Sequence, residues 1–173
     1  MPSPYPIKTC LWFDTQALPA AQLYTSLVPD SAIGRISHYG AENQYGETGS
    51  VLEVEFTLGT QHFVALNGGP HFTHSPAASI QVYCPDQAEL DRIWDGLLAD
   101  GGQESQCGWL ADRFGLSWQI IPTRLGELAS DPDPERASRV IAAMLQMRKL
   151  DIAALEDLTP TDDLVRDRPS VEC

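Results

Sequence analysis

Residues 9–16, Thr9-Cys10-Leu11-Trp12-Phe13-Asp14-Thr15-Gln16, lead into a helical pattern carrying Tyr24, Leu27 and Val28. Residues 79–86, Ser79-Ile80-Gln81-Val82-Tyr83-Cys84-Pro85-Asp86, lead into one carrying Trp94, Leu97 and Leu98. Thr9 and Ser79, Gln16 and Asp86, Tyr24 and Trp94, and Leu27 and Leu97 all stand 70 residues apart. A constant offset marks an internal repeat, and a repeat constrains architecture before any single residue does. It also directs attention to the space that two copies enclose.

Each copy reads strand, helix, strand, strand, strand. In the first, β-branched and aromatic residues predict a strand over 8–14. Ala20, Leu23, Tyr24 and Leu27 then predict a helix that opens at Pro19 and stops before Pro29-Asp30. Further strands are predicted over 33–39, 51–56 and 62–66, with a polar, glycine-containing loop over 40–49. Asn67-Gly68-Gly69-Pro70 begins a linker running to about residue 77. The second copy has a strand over 79–84 and a helix opening at Pro85-Asp86, which Gly101-Gly102 ends. Short strands are predicted over 103–106, 108–112 and 116–121.

A third segment has no counterpart in the first copy. Asp133 suits an N-cap, Pro134 the first turn, and Glu135 the positive end of the helix dipole. Val140, Ile141, Met144, Leu145 and Met147 form an apolar stripe, and 151–158 reads as another short helix. The stripe is read as packing surface. The chain thus divides into a first module (8–67), a second module (78–122), a helical extension (124–158) and a polar tail (159–173).

Composition narrows the function. The 173 residues suffice for one domain or two small fused modules, and 43% hydrophobic residues is ordinary for a globular protein. A net charge of −13 repels phosphate backbones and anionic lipids, so neither nucleic acid nor a membrane is an expected partner. No apolar run is long enough to span a bilayer. Met1-Pro2-Ser3-Pro4-Tyr5-Pro6 lacks the features of a signal peptide, and the expected location is the cytoplasm. Cys10, Cys84, Cys107 and Cys173 form no C-x-x-C pair and are read as free thiols, Cys10 as a core residue and Cys173 as exposed.

Two βαβββ modules of this length resemble the vicinal oxygen chelate superfamily, which has the glyoxalase/bleomycin resistance/extradiol dioxygenase fold. Within it, the chain resembles the PhnB-like group described as 3-demethylubiquinone-9 3-methyltransferase. The stretches that carry the resemblance are Leu11-Trp12-Phe13-Asp14-Thr15-Gln16, Tyr24-Thr25-Ser26-Leu27 and Phe63-Val64-Ala65-Leu66-Asn67-Gly68-Gly69-Pro70. Gln106-Cys107-Gly108-Trp109-Leu110-Ala111-Asp112-Arg113-Phe114-Gly115, Ser117-Trp118-Gln119-Ile120-Ile121-Pro122 and residues 144–152 complete them. The resemblance implies an α+β fold, with both modules curling a mixed sheet into an open cleft and helices following. It also implies a homodimer and, in many members, a divalent metal that acts as a Lewis acid on substrate oxygens.

The metal can be tested by position. In this superfamily a ligand precedes each helix opener by about seven residues, which leads from Gln16 and Asp86 to Thr9 and Ser79. The last strand of the second module often carries a glutamate, and here that place holds Gln119. The matching place in the first module is Phe63. Thr9, Phe63, Ser79 and Gln119 are too weak a set for Zn²⁺, Fe²⁺ or Ni²⁺. The expectation is a ligand cleft lined by these four and by Trp12, with no metal and no other cofactor. Trp118 alternates with Gln119 and is expected on the opposite side of the sheet.

His71 and His74 are read as a surface pair in the linker, and His62 as either a cleft or an edge residue. Spacing supports no Ser-His-Asp set. The chain has no G-x-G-x-x-G loop to cradle S-adenosylmethionine, which leaves the methyltransferase activity without physical support. The expected function is therefore binding of a small molecule between the modules, with catalysis left open. The alternatives are a metal-dependent lyase, isomerase or dioxygenase, and a drug-sequestering dimer of the bleomycin-resistance kind.

Overall fold

The computed structural model describes residues 7–41 and 45–158; the polar tail read from the sequence lies outside them. The first module contains β1 (Thr9–Phe13), α1 (Ala17–Leu27), β2 (Ala32–His38), β3 (Val51–Leu58) and β4 (Gln61–Asn67). The second contains β5 (Ser79–Cys84), α2 (Gln87–Leu98), β6 (Gln103–Glu104), β7 (Trp109–Ala111) and β8 (Ser117–Pro122). The sheets have matching orders, β1-β4-β3-β2 and β5-β8-β7-β6. In each, the first strand runs parallel to the last and the remaining pairs are antiparallel. Both are open mixed sheets, and the expected α+β architecture of two βαβββ modules is the observed one.

The helices differ in how they start. Asp86 caps α2, accepting from the Glu89 amide at 2.9 Å. Gln16 gives α1 no side-chain cap. Asn67, at the end of β4, supplies the acceptor instead: its Oδ1 takes the Ala17 amide at 2.8 Å, while its Nδ2 donates to the Val51 carbonyl at 3.0 Å. This distant cap lets α1 begin at Ala17, earlier than the expected Pro19. Pro19 then falls in the first turn, where a missing N–H costs little.

The helix-bearing sides of the two sheets face each other, and one apolar core joins them. Tyr24 of α1 is fully buried, with its ring against Phe56, Phe114 and Trp118, the last at 4.9 Å between centroids. Trp118 is thus on the core side, opposite Gln119, as alternation requires. The helices meet where Gly96 faces Leu27; a Cβ there would lie 2.4 Å from Leu27 Cδ2. Asp112 is the polar pivot of the second module. It is 3% exposed and accepts from the Phe114 and Leu116 amides and from Trp118 Nε1, at 2.8, 3.1 and 2.9 Å. Burial and the Asp112 charge hold the Tyr24 hydroxyl protonated, far above the ordinary tyrosine range.

The repeat keeps its order but not its offset. Phe13 O accepts from Gly68 N, and Cys84 O from Thr123 N, so Phe13 corresponds to Cys84, 71 residues on. The buried helix positions Ala17, Ala20, Ala21 and Tyr24 match Leu90, Ile93, Trp94 and Leu97 at 73. The N-caps Gln16 and Asp86 retain 70. Three steps separate Phe13 from its N-cap, whereas two separate Cys84 from Asp86. An odd shift exchanges the two faces of a strand.

The extension forms α3 (Arg124–Ala129), α4 (Pro134–Met144) and α5 (Ile152–Glu156). Asp133 caps α4 and Asp151 caps α5. Leu128, Val140 and Leu155 give it a small core of its own. Gln87 staples it to α2, donating to the Leu150 carbonyl and accepting from the Ile152 amide. Of the described cysteines only Cys84 is buried; Cys10 is exposed, against the core placement expected of it, because it lies on the uncovered side of its sheet. No helix among the described residues is long and apolar enough to cross a membrane.

Candidate functional site

Thr9, Phe63, Ser79 and Gln119 line a single cavity of ≈ 630 Å³ at the seam between the modules. Its walls come from the edge strands β1 and β5 and their parallel neighbours β4 and β8. Leu11, Ile80 and Leu116 add apolar surface; Gln61, Gln81 and Tyr83 add polar groups. The two sheets contribute different sides. Thr9 and Phe63 are register partners sharing the helix-bearing side of the first sheet with Leu11 and Phe13. Ser79, Gln81, Tyr83 and Gln119 share the outer side of the second.

Gln119 is the hub of a neutral ladder. Its Oε1 accepts from Gln81 Nε2 at 3.0 Å, and its Nε2 donates to Ser79 Oγ at 2.8 Å. Tyr83 extends the ladder, donating its hydroxyl to Gln81 Oε1 at 3.2 Å. Gln81 and Tyr83 escaped the sequence reading. The signal that could have found them is the two-residue period of β5, which puts them on one face with Ser79.

Trp12 does not join this cavity. Alternation carries it away from Leu11 and Phe13 to the outer side of the first sheet, paired in register with Leu66. There it lines a cavity of ≈ 570 Å³ with Tyr39, Tyr45, Leu52, Leu66, Asn67 and Gly68. The same outer side is charged: Glu55 binds Lys8 at 3.0 Å and Arg35 at 2.6 Å, and Glu53 binds Arg35 at 3.3 Å. Hydrogen bonds from Arg35 and Lys8 hold the Glu55 carboxyl below the usual range. Partial burial, with Glu53 adding its charge, raises the Cys10 thiol, and burial pushes Cys84 up to about 11. Both are thereby poor nucleophiles near neutral pH.

The linker histidines part company. His71 is exposed, whereas His74 is half-buried with its ring 5.1 Å from Phe13. His74 therefore departs from the expected surface pair. Its Nε2 is buried without a hydrogen-bond partner. Desolvation lowers its pKa, against the opposing pull of Asp112 and the Trp12 carbonyl. His62 is exposed at the start of β4.

The four counted positions do not fit a divalent metal. They offer two hydroxyls, a phenyl ring and an amide, with no imidazole, thiolate or carboxylate among them. Moving one residue to the outer side of the first sheet brings Lys8 or Cys10 level with the second module's set. The same move on β4 reaches His62 or Val64, so the outer side offers at most the Cys10 thiol and the His62 imidazole, with no carboxylate between them. Among the described residues no three His, Cys, Asp or Glu side chains are grouped to hold an ion.

Two βαβββ modules with open mixed sheets give the chain the glyoxalase/bleomycin resistance fold. More narrowly, the family described as 3-demethylubiquinone-9 3-methyltransferase matches residues 6–121, and the chain belongs to it. A solved PhnB protein from Bacillus cereus is similar, at 34% identity and a TM-score of 0.62 over 69% of this chain and 100% of that one. Protein PA1353 from Pseudomonas aeruginosa shares the fold, at 18% identity and a TM-score of 0.56 over 68% of this chain and 97% of its own. No curated protein matches the chain. The family match ends within β8, so the helical extension lies beyond it.

Proposed function

We propose that the protein binds a small molecule in the seam cavity and does so without a divalent metal. The observation that carries this reading is the Gln119 ladder beside an apolar wall. Amides and hydroxyls offer donors and acceptors without net charge, which suits an uncharged carbonyl or hydroxyl on an apolar ligand. Gln119 orients the polar end, Ser79 and Gln81 fix the Gln119 amide, and Leu11, Phe63 and Leu116 pack the body. We read the methyltransferase description as naming the family rather than the chemistry of this chain, since no glycine-rich loop follows its first strand. The proposal includes a homodimer in the cytoplasm, with the outer side of the second sheet, where Tyr83 is 59% exposed, available to a second copy.

The test combines metal analysis with ligand screening. Protein purified without chelators is expected to carry no stoichiometric Zn²⁺, Fe²⁺ or Ni²⁺. Compounds with an uncharged oxygen on an apolar body are expected to raise the melting temperature of the native chain but not of Gln119→Leu. Stoichiometric metal lost in Gln119→Leu, or ligand stabilisation that persists in it, overturns the reading. Tight calorimetric binding of S-adenosylmethionine would restore the methyltransferase chemistry.

A further inference from the structure

The cavity holding Trp12 is lined by three aromatic side chains. They are Trp12, Tyr39 and Tyr45; among the described residues its lining holds no lysine, arginine or histidine, and the His71 ring lies 6.2 Å from that of Tyr45. Two rings are locked by their polar atoms: Trp12 Nε1 donates to the Gly69 carbonyl at 2.8 Å, and the Tyr39 hydroxyl donates to the Asn67 carbonyl at 2.6 Å. Two glycines make room for those rings. A Cβ on Gly68 would lie 2.3 Å from the Trp12 ring, and one on Gly46 would lie 2.4 Å from the Tyr39 ring. Phe72 braces Trp12 edge-on at 5.1 Å. Glu53 stands opposite Leu66 in register, which places a carboxylate on the same sheet face.

We propose that this pocket binds an organic cation, a fully alkylated ammonium group carried on an apolar body. A ring presents a negative face to a cation, and several rings around one volume add their attraction. Trp12 Nε1 is a donor only, and the rest of the described lining is largely ring and leucine surface, which suits alkyl groups better than N–H donors. A quaternary group has none to satisfy. The net charge of −13 favours approach of a cation, although Glu53 itself is paired with Arg35 at 3.3 Å. The pocket shares no lining residue with the seam cavity, so it stands independently of the function proposed there.

Choline and its neutral isostere 3,3-dimethylbutan-1-ol make the test. Both are titrated against the full chain by calorimetry and ligand-observed NMR. Choline is expected to bind about tenfold more tightly than the alcohol. Trp12→Leu and Tyr45→Leu are each expected to erase most of that preference while keeping the native circular dichroism. Should Trp12→Leu fail to fold, Tyr45→Leu, an exposed side chain, decides alone. Equal affinity for the two probes, no binding of choline, or a preference that survives Tyr45→Leu overturns the proposal.

Discussion

The two modules share a strand order and differ in almost everything their outer sides present. The first shows charge and aromatic rings: Lys8, Arg35, Glu53 and Glu55 beside Trp12. The second shows an uncharged ladder of Ser79, Gln81, Tyr83 and Gln119. Their turns differ too. The first joins β3 to β4 through Gly59, at φ +53°, while the second joins β7 to β8 through the buried Asp112 carboxylate. Backbone pairing has been kept twice, whereas side chains that meet solvent or ligand have diverged. In this fold the ladder defines the scaffold, and the uncovered faces define what each half can recognise.

The turns give the sharpest way to break this comparison. Asp112→Ala strands two amides and an indole N–H in a buried site, and is expected to cost about 4 kcal/mol in urea unfolding. Gly59→Ala meets open space and bears only the left-handed backbone, about 1–2 kcal/mol. Equal losses would show that the two turns do equivalent jobs. Gly96→Ala pushes a methyl group into Leu27 where the modules meet, and an overpacking cost of about 1–2 kcal/mol is expected, since the leucine end can shift. A loss well beyond that range would mark the contact between α1 and α2 as rigid. Gln119→Ala should change stability by less than about 1 kcal/mol, because the ladder borders an open cavity.

The smallest effect concerns the linker. His74 has a lowered pKa in the fold, so its folded form favours the neutral ring. Stability from this source is intact above the unfolded value of about 6.5 and falls as the pH drops through it toward the folded value. His74→Phe keeps a ring against Phe13 and is expected to flatten the melting temperature between pH 7.5 and 5.5. An unchanged slope would show that His74 does not set this dependence.

Local signals explain what was legible. Alternation marked β3, and Asp86 and Asp133 announced the starts of α2 and α4 with their own side chains. The start of α1 was hidden because its cap, Asn67, lies 50 residues away. The six-residue α3 is too short for a period to show. Counting back from the helix openers led to Thr9 and Ser79, and the last strand of each module to Phe63 and Gln119; all four line one cavity. They meet because all four lie on edge strands or their immediate neighbours at the seam. The same count could not reveal that Thr9 and Ser79 belong to opposite sides of their sheets. That depends on one additional residue between Phe13 and Gln16, a difference invisible until hydrogen bonds fix the register.

The Asn67 cap also sets a timetable. The first turn of α1 cannot receive its distant acceptor until β4 has been laid down beside β1, so this helix depends on a long loop closing. The second helix carries its acceptor three residues from the amide it binds and can nucleate alone. We predict that α2 is structured in the folding transition state and that the start of α1 is not. In stopped-flow measurements, Asp86→Ala should mainly slow refolding, whereas Asn67→Ala should mainly hasten unfolding. The half of the chain synthesised second would then be the half whose helix organises first.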